Sequence, residues 1–194
     1  MKKQFQLFSL LTITFLTLNS CGYNSMVSLD EEVEGQWANV QNAYQARADL
    51  IPNLVSTVKG AANFEKETLE AVVNARSRAT GVTVDPSNLT PDAIKKFEEA
   101  QSGLNSALSR LLVSVERYPE LKATQAFRDL QSQLEGIENR IRVERNRFND
   151  SVKGYNKYVR SFPNNLIAGM FGFEKKGYFE SDAGAENAPK VDFN

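Results

Sequence analysis

The chain has 194 residues, 41% of them apolar and 24% charged, enough for one globular core with extensions. Its net charge of −1 offers no basic field to a nucleic acid. The absence of histidine removes a Ser-His-Asp triad, a histidine-bearing zinc site and the Glu-x-x-His pairs of di-iron bundles.

Lys2 and Lys3 precede a mostly apolar run from Phe5 to Leu18, interrupted by Ser9, Thr12, Thr14 and Thr17. The run is shorter than the ~20 residues of a membrane-spanning helix and reads as a signal peptide over residues 1–20. Leu18-Asn19-Ser20-Cys21-Gly22 comes next and resembles the lipobox of bacterial lipoproteins. Cys21 is the only cysteine, so it has no intramolecular disulfide partner, and it is expected to carry lipid at the head of a tether over 21–27. An uncleaved N-terminal anchor is the alternative. If the envelope is diderm, the resemblance to lipoproteins with a glycine rather than an acidic residue after the cysteine implies the outer membrane, whereas the uncleaved form would sit in the inner membrane.

The six prolines and eleven glycines fall mostly outside long periodic segments rich in Leu, Ala, Gln, Glu, Lys and Arg, so the predicted fold is all-α. Ser28-Leu29-Asp30-Glu31 has the form of a capping box and predicts the start of a first helix. Leu29, Val33, Trp37, Val40 and Tyr44 form its apolar stripe, with the sole tryptophan in the core. At Asp49-Leu50-Ile51-Pro52-Asn53 two readings compete. The apolar phase runs on from Tyr44 through Arg47 to Ile51, which favours a kinked rod. Asp49 as a cap and Ile51-Pro52 as a breaker favour a turn, and the turn is preferred because two antiparallel arms would bury their stripes on each other. A second helix would then occupy about 50–79, its stripe formed by Ile51, Val55, Val58, Ala62, Leu69 and Val72.

Residues 81–89 lack helical period and form a loop. Thr90-Pro91-Asp92 then supplies a capping threonine, a proline at the first helical position and an early acid, and predicts a third helix with Ile94, Phe97, Leu104, Leu108, Leu111 and Val115 on one face. Tyr118-Pro119 opens a fourth, running to Phe162 with a seam that includes Phe127, Leu134, Ile141, Phe148, Val152, Tyr155 and Val159. At ~1.5 Å per residue it would span about 65 Å, twice the first helix, so something must cover its overhang. The expected architecture is an antiparallel four-helix bundle over 28–162 with a long C-terminal helix, able to fold without the tail. That tail, 163–194, carries a short helix and the aromatics Phe171, Phe173, Tyr178 and Phe179. These dock on the bundle in one reading and form an exposed partner-contact strip in the other.

Glu65, Arg76, Gln101 and Glu144 occupy seam positions that are otherwise apolar, near Glu138, Arg140 and Arg145. They predict a structural polar layer in which Glu65, Arg76 and Glu144 meet opposite charges and fix helix register. A small-ligand or cation pocket built on Glu65, Arg76 and Glu144 is the alternative. Neither a Walker loop nor a dinucleotide-binding glycine loop is present, and carboxylate pairs such as Glu98-Glu99 have the spacing of a solvated helix face. No metal and no cofactor are expected.

The chain resembles the LemA family over most of its length. The matching segments are Tyr23-Asn24, Trp37 and Val40, Asp49 to Val55, Val58-Lys59-Gly60, Tyr118 to Ala123 and Glu138 to Ile141. Arg145, Phe148-Asn149, Val152, Tyr155-Asn156, Phe162-Pro163, Gly172-Phe173 and Tyr178-Phe179 continue the match in order. The resemblance implies an antiparallel four-helix bundle held on a bacterial membrane by its N-terminal segment, with no assigned enzymatic activity. Two departures are the lipobox-like cysteine in place of a spanning helix and Phe148 where a tyrosine is usual. Composition, anchor and resemblance together predict a non-enzymatic scaffold or adaptor of the cell envelope, with membrane lipid and envelope proteins as its partners.

Overall fold

A helix interior that contains proline loses one backbone hydrogen bond, and the carbonyl four residues earlier is left without its donor. In the structure, a computed structural model that describes residues 2–60 and 64–180 and the side chains from Gly22 onward, this loss does not break the first helix. α1 runs without interruption from Lys2 to Lys59, with Pro52 inside it. The turn expected at Asp49 to Asn53 is therefore corrected to a continuous rod. The reason lies outside the helix: Arg76 donates from Nε to the carbonyl of Ala48, the group Pro52 cannot reach, at 2.8 Å. Asp49 is not a cap but accepts from Gln45 one turn earlier, at 2.8 Å. The expected start at Ser28 is corrected as well. Residues 23–27 are helical, Met26 is fully buried, and the N–H groups a Ser28 cap would have satisfied lie in the middle of a helix.

The chain turns back after Gly60, and α2 (Lys66–Gly81) is correspondingly shorter than the helix expected over 50–79. Its buried residues are Leu69, Val72, Ala75 and Ala79, the i, i+3, i+6, i+10 side of a helix. A single 3₁₀ turn, Pro86–Asn88, sits in the expected loop, with Asp85 accepting from the Ser87 backbone N–H. α3 (Pro91–Val115) begins where the sequence signals place it, with the Thr90 hydroxyl accepting from Ala93 N–H. The predicted fourth helix is divided. A one-turn α4 (Pro119–Lys122) stops, Thr124 caps a new start by accepting from Phe127 N–H, and α5 runs from Gln125 to Arg160. α6 (Asn164–Phe171) is the short helix of the tail, and it ends on Gly172 at φ 76°, a left-handed C-terminal cap.

The architecture is the expected antiparallel four-helix bundle, built from α1, α2, α3 and α5. α1 pairs antiparallel with α5 along most of its folded length, and α2 with α3. The apolar side chains form two cores in series. One is built around Trp37, Phe97, Phe148, Val152 and Tyr155, nearer the N-terminal end of α1. The other lies around Ile51, Val58, Val72, Leu104 and Leu111 at the far end. Among the described residues no helix is long and apolar enough to cross a membrane. The side chain of Cys21, the seam position Ala62 and the segment 181–194 lie outside the described residues.

If Arg76 substitutes for the donor that Pro52 lacks, the two residues are energetically coupled. Arg76→Ala should cost about 1–3 kcal/mol, the penalty of a buried carbonyl left unsatisfied. The same change in a Pro52→Ala background, where residue 52 again supplies an N–H, should cost less. A double-mutant cycle by urea unfolding measures the difference, and strictly additive effects would contradict the coupling.

Candidate functional site

Between the two cores the bundle places a polar layer, and its centre is a residue that periodicity alone assigns to the apolar phase. Arg47 is 2% exposed. Its Nη1 donates to Glu138 Oε1 at 2.9 Å, and its Nη2 donates to Gln101 Oε1 at 2.8 Å and to the Gln101 carbonyl at 3.3 Å. Gln101 passes the connection on by donating from Nε2 to the Ala79 carbonyl at 3.2 Å. α1, α2, α3 and α5 are thus tied at one level. The guanidinium also lies 5.0 Å from the centroid of the Tyr44 ring, a cation–π distance. Burial pushes the Tyr44 phenol above its ordinary range, with the charges of Arg145 and Arg47 opposing. It is a neutral phenol at physiological pH.

The other predicted members of the layer disperse. Glu65 stands exposed at the far end, ion-paired with Arg117 at 2.6 Å. Its carboxyl is held below the usual range by the Thr68 hydroxyl first and Arg117 second, and a pair this exposed adds little stability. Arg76 meets a backbone carbonyl through its Nε and not the carboxylate expected of it. Glu144 is buried as predicted, but its partner is Arg147 on the same helix, at 3.1 Å, and its second oxygen has no hydrogen bond. No pocket therefore forms from Glu65, Arg76 and Glu144 together. Gln101 is the one predicted layer residue at the centre, and Arg145 lies one step away, paired with Glu98. Arg47 was detectable in principle: it continues the spacing from Tyr44 to Ile51, so an arginine there has to be buried with a partner.

Beside the layer, between α3 and α5, a cleft of about 530 Å³ opens. Asn105 and Ser102 of α3 face Glu138, Asn139, Arg142 and Arg145 of α5 across it. Both charge signs and several amides line the same space, so it can match a polypeptide segment carrying donors and acceptors. A shallower depression continues it along the same two helices past Leu108, Leu112 and Leu134.

The lower rim of the cleft is closed by the tail, and here the aromatics separate. Phe179 is buried against Trp37, Phe97 and Phe148, with ring centroids 6.0, 6.4 and 5.5 Å away, and Arg145 lies 4.8 Å over its ring. Phe173 is half-buried, at 5.7 Å from Tyr23, while Phe171 and Tyr178 remain exposed. Phe179 is thus part of the core of the bundle over 28–162.

The tail is held by its backbone. Asn156 donates to the carbonyl of Lys176 and accepts from the N–H of the same residue, both at 2.9 Å. Asn149, two turns earlier on α5, does the same for Phe179, again at 2.9 Å twice. Each amide imitates a neighbouring β-strand, satisfying one donor and one acceptor of an extended chain. Between them Gly177 donates to the Leu89 carbonyl at 2.8 Å and lies so close to Pro91 that an added Cβ would stand 2.7 Å from its Cα. The Lys176 ammonium, buried, pairs with Asp30 and lies 5.3 Å from the Tyr155 ring. Tyr155 itself is shifted well upward by burial, then by the charges of Asp30 and Glu174.

A lengthwise antiparallel bundle with a polar layer amid its cores and a tail strapped to its longest C-terminal helix defines a class of purely helical modules. Residues 36–193 match the LemA family, and the chain belongs to that family. Among its relatives is the magnetosome protein MamQ of Magnetospirillum gryphiswaldense, 28% identical over 193 residues, covering 89% of this chain and 70% of that protein. MamQ 2 of Paramagnetospirillum magneticum is 23% identical, covering 87% and 68%. Protein LemA of Metamycoplasma hominis is 24% identical, covering 84% and 72%.

Asn156→Ala should release the tail without unfolding the bundle, since it leaves the buried Lys176 N–H and carbonyl unpaired at about 1–3 kcal/mol. Tryptic cleavage at Lys175 and Lys176 should accelerate by about tenfold or more, while far-UV helicity is retained. Unchanged cleavage would mean that Asn149, the Gly177–Leu89 hydrogen bond, the Lys176–Asp30 pair and the packing of Phe179 hold the strap without Asn156.

Proposed function

We propose that this chain works at a bacterial membrane as a non-enzymatic helical scaffold or adaptor whose cleft between α3 and α5 receives a segment of another envelope protein. The observation that carries this reading is the cleft itself: about 530 Å³ between two helices and lined mostly by polar groups, with a second depression bordered by leucines beside it. A surface mixing hydrogen-bonding groups of both signs with an apolar continuation suits a protein segment better than a single small ion. Two relatives are magnetosome proteins by name, which supports a setting at a bacterial membrane compartment.

Filling the cleft should separate partner binding from folding. Asn105→Trp combined with Asn139→Trp changes two exposed positions on its walls. Proteins co-purifying with the full chain from native membranes should fall by about tenfold, the equivalent of 1.4 kcal/mol of binding, at an unchanged Tm. Full recovery with the doubly substituted chain would move the partner surface elsewhere. Loss of a bound small molecule instead of a protein would favour a ligand-binding bundle.

The tether in this reading is a lipid on Cys21, placed after an apolar run too short to span a bilayer. More than one acyl chain is needed for stable attachment, since burial gives ~0.8 kcal/mol per CH₂ and a single chain is marginal. Mass spectrometry of the native N-terminus should find acylated Cys21. An intact Met1 or a free Cys21 thiol would establish the uncleaved anchor in its place.

A further inference from the structure

α6 has two unlike sides. Ala168 is buried, and Ile167 lies where a Cβ on Gly22 would stand 3.2 Å from its Cδ1, so one side packs on α1. The other side is apolar and uncovered. Leu166 is 59% exposed, Met170 80% and Phe171 60%, and Phe162, just before the helix, 81%. Leu166 and Met170 are four residues apart and share a helix face. Single exposed apolar residues are ordinary on a protein surface, but four large ones within ten residues form a patch that asks for a cover.

The position of the patch identifies the cover. Tyr23 of α1 packs its ring 4.9 Å from Phe171, so α6 is fixed to α1 at Gly22 and Tyr23. Those residues come directly after Cys21 and stand four residues beyond the end of the apolar run at Leu18, within the same helix. Four residues of helix rise about 6 Å. If Cys21 is acylated, its chains enter lipid one residue before Gly22. If the run is retained, Leu18 enters lipid about one turn before it. Both forms of attachment bring the bilayer surface level with α6. Lys157 and Arg160, exposed in the last turn of α5 beside Phe162, set positive charge around the patch, as at an interface with anionic headgroups.

The geometry points to α6 as a second membrane contact, with Phe162, Leu166, Met170 and Phe171 entering the headgroup and acyl boundary of the lipid that holds the N-terminus. This inference rests on the membrane attachment proposed above and is independent of the cleft. Two contacts, one at the foot of α1 and one on the helix packed beside it, fix the tilt of the bundle as well as its location.

The test uses the full chain reconstituted into vesicles of phosphatidylglycerol and phosphatidylcholine, the latter with or without brominated acyl chains. Met170→Trp places an indole on the patch, Val113→Trp places one at the far end of α3, and buried Trp37 gives the same background throughout. Brominated lipid should quench the emission added by Met170→Trp by about half or more, as expected for a group in the acyl boundary. Aqueous iodide should quench that added by Val113→Trp only. Flotation of the vesicles reports attachment separately. A chain that floats while its Met170→Trp indole answers to iodide overturns the second contact and leaves the anchor standing. An indole quenched by neither agent marks a face covered by protein, a second copy included, and also overturns it. A chain that does not float overturns both.

Discussion

The fold depends on one hydrogen bond between a side chain and a carbonyl. Pro52 takes the donor away from Ala48, and Arg76, arriving from α2, returns one at 2.8 Å. Because that carbonyl is satisfied, α1 continues through the proline and serves both cores, contributing Trp37 and Val40 to one and Ile51 and Val58 to the other. A turn at the proline would have divided these four residues between two helices. The bond also explains an arginine on a stripe that is otherwise apolar: it aligns α2 against α1 by a backbone group and needs no carboxylate.

The same economy recurs at the polar layer and the strap. Arg47 is buried at the junction of the cores, where a lone charge would cost several kcal/mol, and Glu138, Gln101 and the Tyr44 ring surround it. Asn149 and Asn156 do for the tail what Arg76 does for α1, supplying hydrogen bonds to a backbone that has no secondary-structure partner. In each case one polar side chain on a long helix replaces an absent neighbour. The cleft borders both devices, so the tail forms one wall of the surface proposed for a partner.

What could be read in the sequence was local. Thr90-Pro91-Asp92 signals a helix start within three residues, and the structure has it there. The stripes of α3 and α5 come from periodicity alone and led to the correct all-α, antiparallel architecture. What could not be read was compensation from a distance. Ile51-Pro52 carries every local mark of a turn, and the group that overrides it is 24 residues away from the proline. Ser28 to Glu31 has the pattern of a cap, which is idle because the helix has already begun. Thr124 is a true cap hidden within a seam whose period runs on. Asn149 and Asn156 have no helical signature, since their partners are backbone atoms of a segment that lacks a pattern of its own.

The length of α1 has a mechanical corollary. From Gly22 to Lys59 it is a single lever of about 57 Å, braced along its side by α5. Such a lever turns angle into reach: a ten-degree change of inclination at its foot sweeps the tip through about 10 Å. The Lys59 end of the molecule thereby surveys a volume set by how firmly its base is held, and stiffness at one end becomes spatial precision at the other.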